Sequence, residues 1–343
     1  MPSANHSDPW NVVEGSFPRT SHASEQLRFL LQYAVLAPST RNVQPWKFRL
    51  VDTEVELSVD TTRALPVVDP QCRELVISCG AALLYLRVAL RHFHFAGTLR
   101  YFPDPEDPNL LARLGLGDPA TPTADEEAMF KALPRRHTCR LPFRSDTVFQ
   151  PVLDALAQAA EANGAWLRTI DGREARAAVA HVIAEADVVQ QNDARYRREL
   201  AAWLRPNRAQ ESDGLPGYVF GWGDFKAWFA PFAARWLDSG KRRAAHDREL
   251  AEAAPLLALL GTPTDTPADW LNAGQALAQV LLLARSQGLQ ASYFNAPLEV
   301  PELRQRLLSI LHRSGAPQLL LRLGRVTEGR PTPRRPVGEV LTD

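Results

Sequence analysis

Lysine is almost missing from this 343-residue chain. Of its 39 basic residues four are lysines (Lys47, Lys131, Lys226 and Lys241), which leaves 35 arginines. Arginine carries a planar fork of donors suited to carboxylates and phosphates. Cysteine is scarce as well. Cys72, Cys79 and Cys139 are odd in number and scattered, so a disulfide framework and a zinc-type spacing are both excluded, and reduced thiols are expected. Net charge is absent, with 39 acidic residues against 39 basic ones. No global field then points to nucleic acid or to an acidic membrane. No apolar run approaches the roughly 20 residues of a membrane helix. The polar start from Met1 to Ser24 has no secretory pattern, so a cytoplasmic chain is expected. Also lacking are Gly-x-Gly-x-x-Gly, a Walker-type loop, His-Glu-x-x-His and an EF-hand. Ser78, in Ile77-Ser78-Cys79-Gly80, lacks the preceding glycine of a nucleophile elbow. His92 and His94 fall at a helix end, where they complement the dipole. Neither a metal site nor a protein nucleophile is expected.

What is present begins with a stiff polar link, Ala37-Pro38-Ser39-Thr40-Arg41-Asn42-Val43-Gln44-Pro45-Trp46. Apolar residues at helical spacing (Leu27, Leu30, Leu31, Ala34) lead into it, and alternating ones (Phe48, Leu50) lead out. The two prolines fix φ and push their predecessors out of the α region. Ser39, Thr40, Asn42 and Gln44 then stand on a rigid backbone, either as a ligand-binding wall or as a plain connector. Helices are expected over about 25–36, 70–90, 110–114, 126–133, 151–162, 172–190, 193–204, 270–287 and 300–311. Strands are expected over 47–51, 55–59, 98–102, 165–170, 291–294 and 318–323. Residues 205–270 differ in composition, with a burst of aromatics from Tyr218 to Trp236. Trp222, Phe225, Phe229, Phe232 and Trp236 fit one helical face, which suits core packing or a flap over a flat ligand.

A weak internal repeat runs through the chain. Gly80-Ala81-Ala82-Leu83 heads an apolar helix that ends at Gly97 and feeds a strand. Gly274-Gln275-Ala276-Leu277 heads another that ends at Gly288 and feeds a strand. The helix–strand pair 25–51 matches the pair 151–170. The second copy joins its pair through Asn163-Gly164 alone and so lacks the polar loop. The first copy lacks the basic cluster Arg135-Arg136-His137-Thr138-Cys139-Arg140, whose three guanidinium groups near a threonine suit an anion. Each half thus keeps a complementary part of one site.

The loop and the cluster together resemble the FMN-dependent nitroreductase family. Its motif Pro-Ser-x-x-Asn-x-Gln-Pro-Trp is matched by Pro38 to Trp46. Its Arg-x-Ser-x-Arg/Lys phosphate motif is similar to Arg136-His137-Thr138-Cys139-Arg140, with threonine for serine. Its C-terminal Pro-x-Arg segment is matched by Pro333-Arg334-Arg335-Pro336. Its flavin-facing strand and turn are matched by Gly288-Leu289 and Phe294-Asn295-Ala296-Pro297. The order of the motifs resembles the double-length, Acg-like branch, a nitroreductase homodimer in one polypeptide. The resemblance implies an α+β fold of two fused related halves, each a mostly antiparallel sheet flanked by helices. It places a flexible arm at 1–23, the halves at 24–134 and 135–343, and a lid insert at 205–270 within the second.

FMN is implied between the halves, held by Pro38, Ser39, Thr40, Asn42, Gln44, Arg136, His137, Thr138, Arg140, Phe294, Asn295, Ala296, Arg334 and Arg335. Trp222, Phe225 and Trp228 are the lid residues, placed over the substrate side. The implied activity is ping-pong hydride transfer from NAD(P)H through flavin N5 to a small nitroaromatic or quinone-like acceptor. The other implied role is an FMN-sequestering protein with an occluded flavin. A helical interaction protein is a third class, recognisable by failure to take up FMN. Fusion makes a monomer sufficient and leaves a dimer possible.

Overall fold

The computed structural model describes residues 8–236, 240–326 and 329–342. In chain order its strands are β1 (Trp46–Val51), β2 (Glu54–Val59), β3 (Thr98–Tyr101), β4 (Leu110–Gly115), β5 (Trp166–Thr169), β6 (Leu204–Arg205), β7 (Leu215–Pro216), β8 (Leu256–Thr262), β9 (Gln290–Tyr293), β10 (Ala316–Gly324) and β11 (Leu341–Thr342). Its helices are α1 (Ala23–Ala34), α2 (Arg73–His92), α3 (Ala124–Ala132), α4 (Gln150–Glu161), α5 (Arg173–Asn192), α6 (Ala194–Trp203), α7 (Asp224–Trp236), α8 (Gly240–Glu252), α9 (Pro267–Ser286), α10 (Pro301–Ile310) and α11 (Val337–Val340). Local signals explain several of these boundaries. Thr123 with Glu126 and Thr266 with Asp269 form capping boxes that start α3 and α9, satisfying amides that a helix start leaves free.

Two sheets share one strand order. The first reads β1-β2-β4-β3 and the second β5-β8-β10-β9, and every pairing within these two runs is antiparallel. In each unit the long helix (α2 or α9) lies in the chain between the second strand and the edge strand. The weak sequence repeat is therefore a repeat of topology. It also locates the insertion. In the first unit β1 and β2 are joined by the turn Asp52-Thr53, whereas residues 170–255 separate β5 from β8. The expected insert at 205–270 is corrected at both ends, because α5 and α6 belong to it and β8 does not. Leu256–Thr262 is buried at all seven positions. A strand covered on both faces shows no alternation, so its sequence signal is only an apolar run. The same reason corrects Leu110–Leu114, expected as a helix. It lies in β4 between β2 and β3, with nearly every residue buried.

The two units meet at a crossing of α2 and α9 that only glycine permits. A Cβ on Gly80 would lie 2.2 Å from the Leu271 carbonyl oxygen, and one on Gly274 would lie 2.0 Å from that of Ile77. The cores interlock accordingly: Leu271, Ala278 and Leu282 of α9 pack into the first core, and Ile77 of α2 into the second. By length and composition α2 could span a membrane, contrary to the sequence expectation, with a mean hydropathy of 1.4, yet 83% of that window is buried in the protein itself.

The chain termini depart from the expected division. The arm is anchored at two points, where the Trp10 indole donates to the Thr332 carbonyl at 2.9 Å and where Phe17 is buried and stacks on Phe93 at 4.2 Å; residues 1–7 lie outside the described residues. The C-terminal segment leaves the second unit and completes the first sheet, with β11 pairing parallel to β1. The boundary at 134/135 therefore does not hold for the tail, since the tail carries the strand that covers the β1 edge.

Candidate functional site

The polar link folds as a strained loop. Arg41, Asn42 and Gln44 all have positive φ (48°, 59° and 52°), a conformation costly for residues with side chains and tolerated where surroundings over-determine it. Ser39 supplies part of that determination, its Oγ accepting from the Gln44 amide at 2.9 Å. Thr40 donates to Glu74 at 2.7 Å, and Arg41 pairs with Glu199 at 2.9 Å. Asn42 and Gln44 are buried (4% and 0% exposed) and act as stitches. The Asn42 amide donates to the carbonyls of Gly214 (3.1 Å) and Pro333 (3.0 Å), and its Oδ1 accepts from Arg334 (2.9 Å). Gln44 donates to the Ser212 carbonyl (2.8 Å) and accepts from the Arg335 amide (2.8 Å). These amides were expected to hold FMN together with Arg136 and Arg140. Instead each joins two backbones, the insertion and the C-terminal tail, because a primary amide can donate and accept at once.

The basic cluster lies along the edge of the second sheet, where the Cys139 amide donates to the Ala291 carbonyl at 2.9 Å. Arg136 and Arg334 are 3% and 4% exposed. Both donate to one oxygen, the Leu36 carbonyl, each at 3.3 Å. Two like charges thus converge in the interior beside the polar loop. The Nε atoms of Arg136, Arg334 and Arg322, and one terminal nitrogen of Arg140, are buried without a hydrogen-bond partner. Among the described residues none of these four guanidinium groups makes an ion pair with a carboxylate. Burial and the neighbouring Arg136 charge push the Arg334 pKa down to about 9. Burial likewise brings Arg140 and Arg322 down to about 10. Buried cations with unused donors are costly unless an anion completes them.

Sequence reasoning missed two residues of this centre and left a third unassigned. The Tyr85 and Tyr293 hydroxyls are buried here, and burial raises the pKa of each against the lowering effect of Arg136. A tyrosine amid the leucines of α2 was the available signal, since a buried phenol needs a polar neighbour. Arg322 is buried in β10. It donates to the Leu141 carbonyl at 3.1 Å and sits over the Phe143 ring at 4.3 Å. Of the remaining expected residues, His137 is buried within the cluster and Thr138 forms a bridge to Ala291. The Arg335 guanidinium is divided between Glu339 and the Gln44 carbonyl, to which it donates at 3.3 Å. Phe294 is core, and the Asn295 side chain accepts from the Leu320 amide at 3.2 Å. Ala296 begins the 3-10 turn Ala296–Leu298.

From the insertion, an aromatic that was not among the expected lid residues approaches the cluster, and the expected Trp222 stacks on it. Phe220 lies 5.2 Å below the Arg140 guanidinium and stacks on Trp222 at 4.6 Å. Phe225 and Trp228 are 81% and 68% exposed and face away. Close packing is the reason. A Cβ on Gly217 would lie 2.3 Å from that of Ala227, so α7 can turn only its alanines inward. Ala227 and Ala230 are buried, and the large side chains lie on the opposite face.

Glu299 follows the 3-10 turn and accepts from Gln190 at 2.5 Å. Burial, reinforced by the Glu74 charge, pushes its pKa up to about 8. In the unfolded chain it titrates near ~4.3. Its contribution to stability is therefore full below that value and is lost as pH rises through about 8. Thermal unfolding measured against pH should show a decline over this window that is flattened in Glu299→Gln. An unchanged pH slope in the variant would refute the assignment.

The related position in the other unit is not built this way. Gln279 stands five residues beyond Gly274, as Tyr85 stands five beyond Gly80. It accepts from Asn163 at 2.7 Å, in the short link that replaces the polar loop. The nearby arginines are satisfied, Arg87 by Gln275 and Arg91 by Glu126.

No family model matches the chain. "Putative NAD(P)H nitroreductase Rv3131" of Mycobacterium tuberculosis (strain ATCC 25618 / H37Rv) is 32% identical to it over 339 residues, 96% of each chain. "Putative NAD(P)H nitroreductase acg" of the same strain is 28% identical over 332 residues, 94% of this chain and 97% of its own. The chain belongs to the NAD(P)H nitroreductase family, in its Acg-like branch. Among solved structures, the FMN-dependent nitroreductase NfnB from Mycobacterium smegmatis in complex with NADPH aligns with 62% of this chain and 96% of its own, at 17% identity and a TM-score of 0.39.

Proposed function

We propose that the chain binds one FMN between its two units and uses it as an NAD(P)H-dependent oxidoreductase on a small nitroaromatic or quinone-like acceptor. The observation that carries this reading is the pair Arg136 and Arg334, converging on one carbonyl with unused donors and no carboxylate. A phosphate monoester matches that arrangement in charge and in acceptor number. FMN, when bound, supplies the two-electron carrier that takes hydride from a nicotinamide and passes it on. Arg136, Arg334 and the Thr138 hydroxyl hold the phosphate. Arg140 provides a cation where negative charge collects on reduction of the ring, which favours the reduced form. Phe220 covers Arg140 and keeps water from that side. Asn42 and Gln44 act at one remove, by fixing the tail that carries Arg334. We further propose that the two units arose by duplication and fusion, on the strength of their common strand order and the glycine pair at their crossing.

The cover over Arg140 also favours a second reading, in which the chain sequesters FMN and excludes nicotinamide. Anaerobic addition of NADPH to the FMN-loaded chain separates the two. Loss of the oxidised-flavin absorbance within seconds is the expected result. A flavin spectrum that persists would overturn the reductase reading in favour of sequestration.

A further inference from the structure

Helix α7 is built inside out. On the side packed against the protein it presents Ala227 and Ala230, both buried. On the outer side Phe225, Trp228, Phe229, Phe232 and Trp236 are 81%, 68%, 40%, 55% and 65% exposed. Their spacing of three and four residues places all five on one helical face. Single exposed apolar residues need no explanation, but a contiguous aromatic stripe marks an interaction surface.

The pattern of the stripe identifies the occupant. A twofold axis through the point between Ala230 and Pro231 exchanges Phe225 with Trp236 and Phe229 with Phe232. It sets Trp228 opposite Ala233, a large ring against a small side chain. An isologous contact sets residue i of one copy against residue j of the other and j against i, and this axis puts ring on ring at Phe225, Phe229, Phe232 and Trp236. The exposed fractions of the five rings amount to ~600 Å² of aromatic surface per copy, or ~1,200 Å² for a pair, taking ~200 Å² per buried aromatic. Covering most of it would reach the ~1,000 Å² of a specific interface. The stripe is also nearly free of charge. Lys226 and Arg235 flank it, lying 5.0 Å from the Trp222 ring and 5.8 Å from the Trp236 ring, and Asp224 is engaged by Arg208 at 3.0 Å. We propose that α7 is a homodimer interface, with two copies of the chain packed antiparallel through this stripe.

Sedimentation of the FMN-loaded full chain at micromolar concentration tests the proposal. The native chain is expected to be a dimer, and Phe229→Glu/Phe232→Glu a monomer with unchanged far-UV circular dichroism and flavin content. Geometry is tested by oxidative cross-linking. A chain carrying Phe229→Cys and a second carrying Phe232→Cys should form a disulfide-linked pair when mixed, and neither should do so alone. A monomeric native chain, or cross-linking of Phe229→Cys with itself, overturns the proposal. So does a native chain that stays monomeric and co-sediments with phosphatidylglycerol vesicles, which would assign the stripe to a lipid surface.

Discussion

Arg136→Met/Arg334→Met is expected to yield colourless protein that no longer takes up FMN. Each guanidinium offers charge-assisted donors to a dianion, worth about 1.5–3 kcal/mol per contact once water is excluded. Losing both should weaken binding ~100-fold to ~10,000-fold. The same substitutions should leave the FMN-free chain folded, since removal of two adjacent buried charges offsets the loss of the Arg334 hydrogen bonds to Asn42 and Thr332. Arg136 and Arg334 sit beside each other with unused Nε atoms and no neutralising carboxylate. Replacing buried charge by apolar side chains of similar volume is often neutral or stabilising. Thermal unfolding with and without FMN reads both effects: the cofactor-induced rise in Tm should vanish, while the cofactor-free chain should keep a cooperative transition. A variant that loses FMN because it is unfolded would fail this test, and so would one that keeps FMN.

Gly80→Ala and Gly274→Ala are each expected to destabilise the chain by about 3 kcal/mol or more. The added methyl groups would fall 2.2 Å and 2.0 Å from backbone oxygens of the opposite helix, and neither can be relieved by turning a side chain. The helices must separate, which opens both cores at once because α9 packs into the first and α2 into the second. Overpacking that moves backbone sits at the severe end of single substitutions. Gly15→Ala is the control, since a Cβ there meets nothing within 4 Å and should change stability by less than about 0.5 kcal/mol. Urea unfolding with matched slopes measures the difference. Equal stabilities for Gly80→Ala and Gly15→Ala would mean that the crossing is looser than described.

How much of this was legible in the sequence depends on the kind of signal each residue leaves. Gly80 and Gly274 were visible as heads of similar helices, and the structure gives them a reason, since each occupies the other's groove. The polar loop and the arginine cluster were visible through residue types that a core does not use. Their roles were only half visible. A sequence shows that Asn42 and Gln44 need partners, but not that the partners are the backbone carbonyls of Gly214, Ser212 and Pro333, which are distant in the chain. β8 and β4 were misread because strands buried on both faces carry no period. The aromatics of α7 were misread for a related reason. Helical spacing fixes which residues share a face, not which way the face points. That direction was set by Gly217 and Ala227, whose contact no periodicity reveals. Phe220 was left among the unassigned aromatics because it precedes α7, in a 3-10 turn with no amphipathic pattern of its own.

The central claim is that two related units share one anion-completed site. Calorimetric titration with FMN, run side by side on the native chain and on Arg136→Met/Arg334→Met, tests it most directly. The account predicts one FMN per native chain and none in the variant. Two FMN per native chain would show that the Gln279 side is also a site, and undiminished binding by the variant would show that Arg136 and Arg334 are not the phosphate ligands. Either result would contradict it.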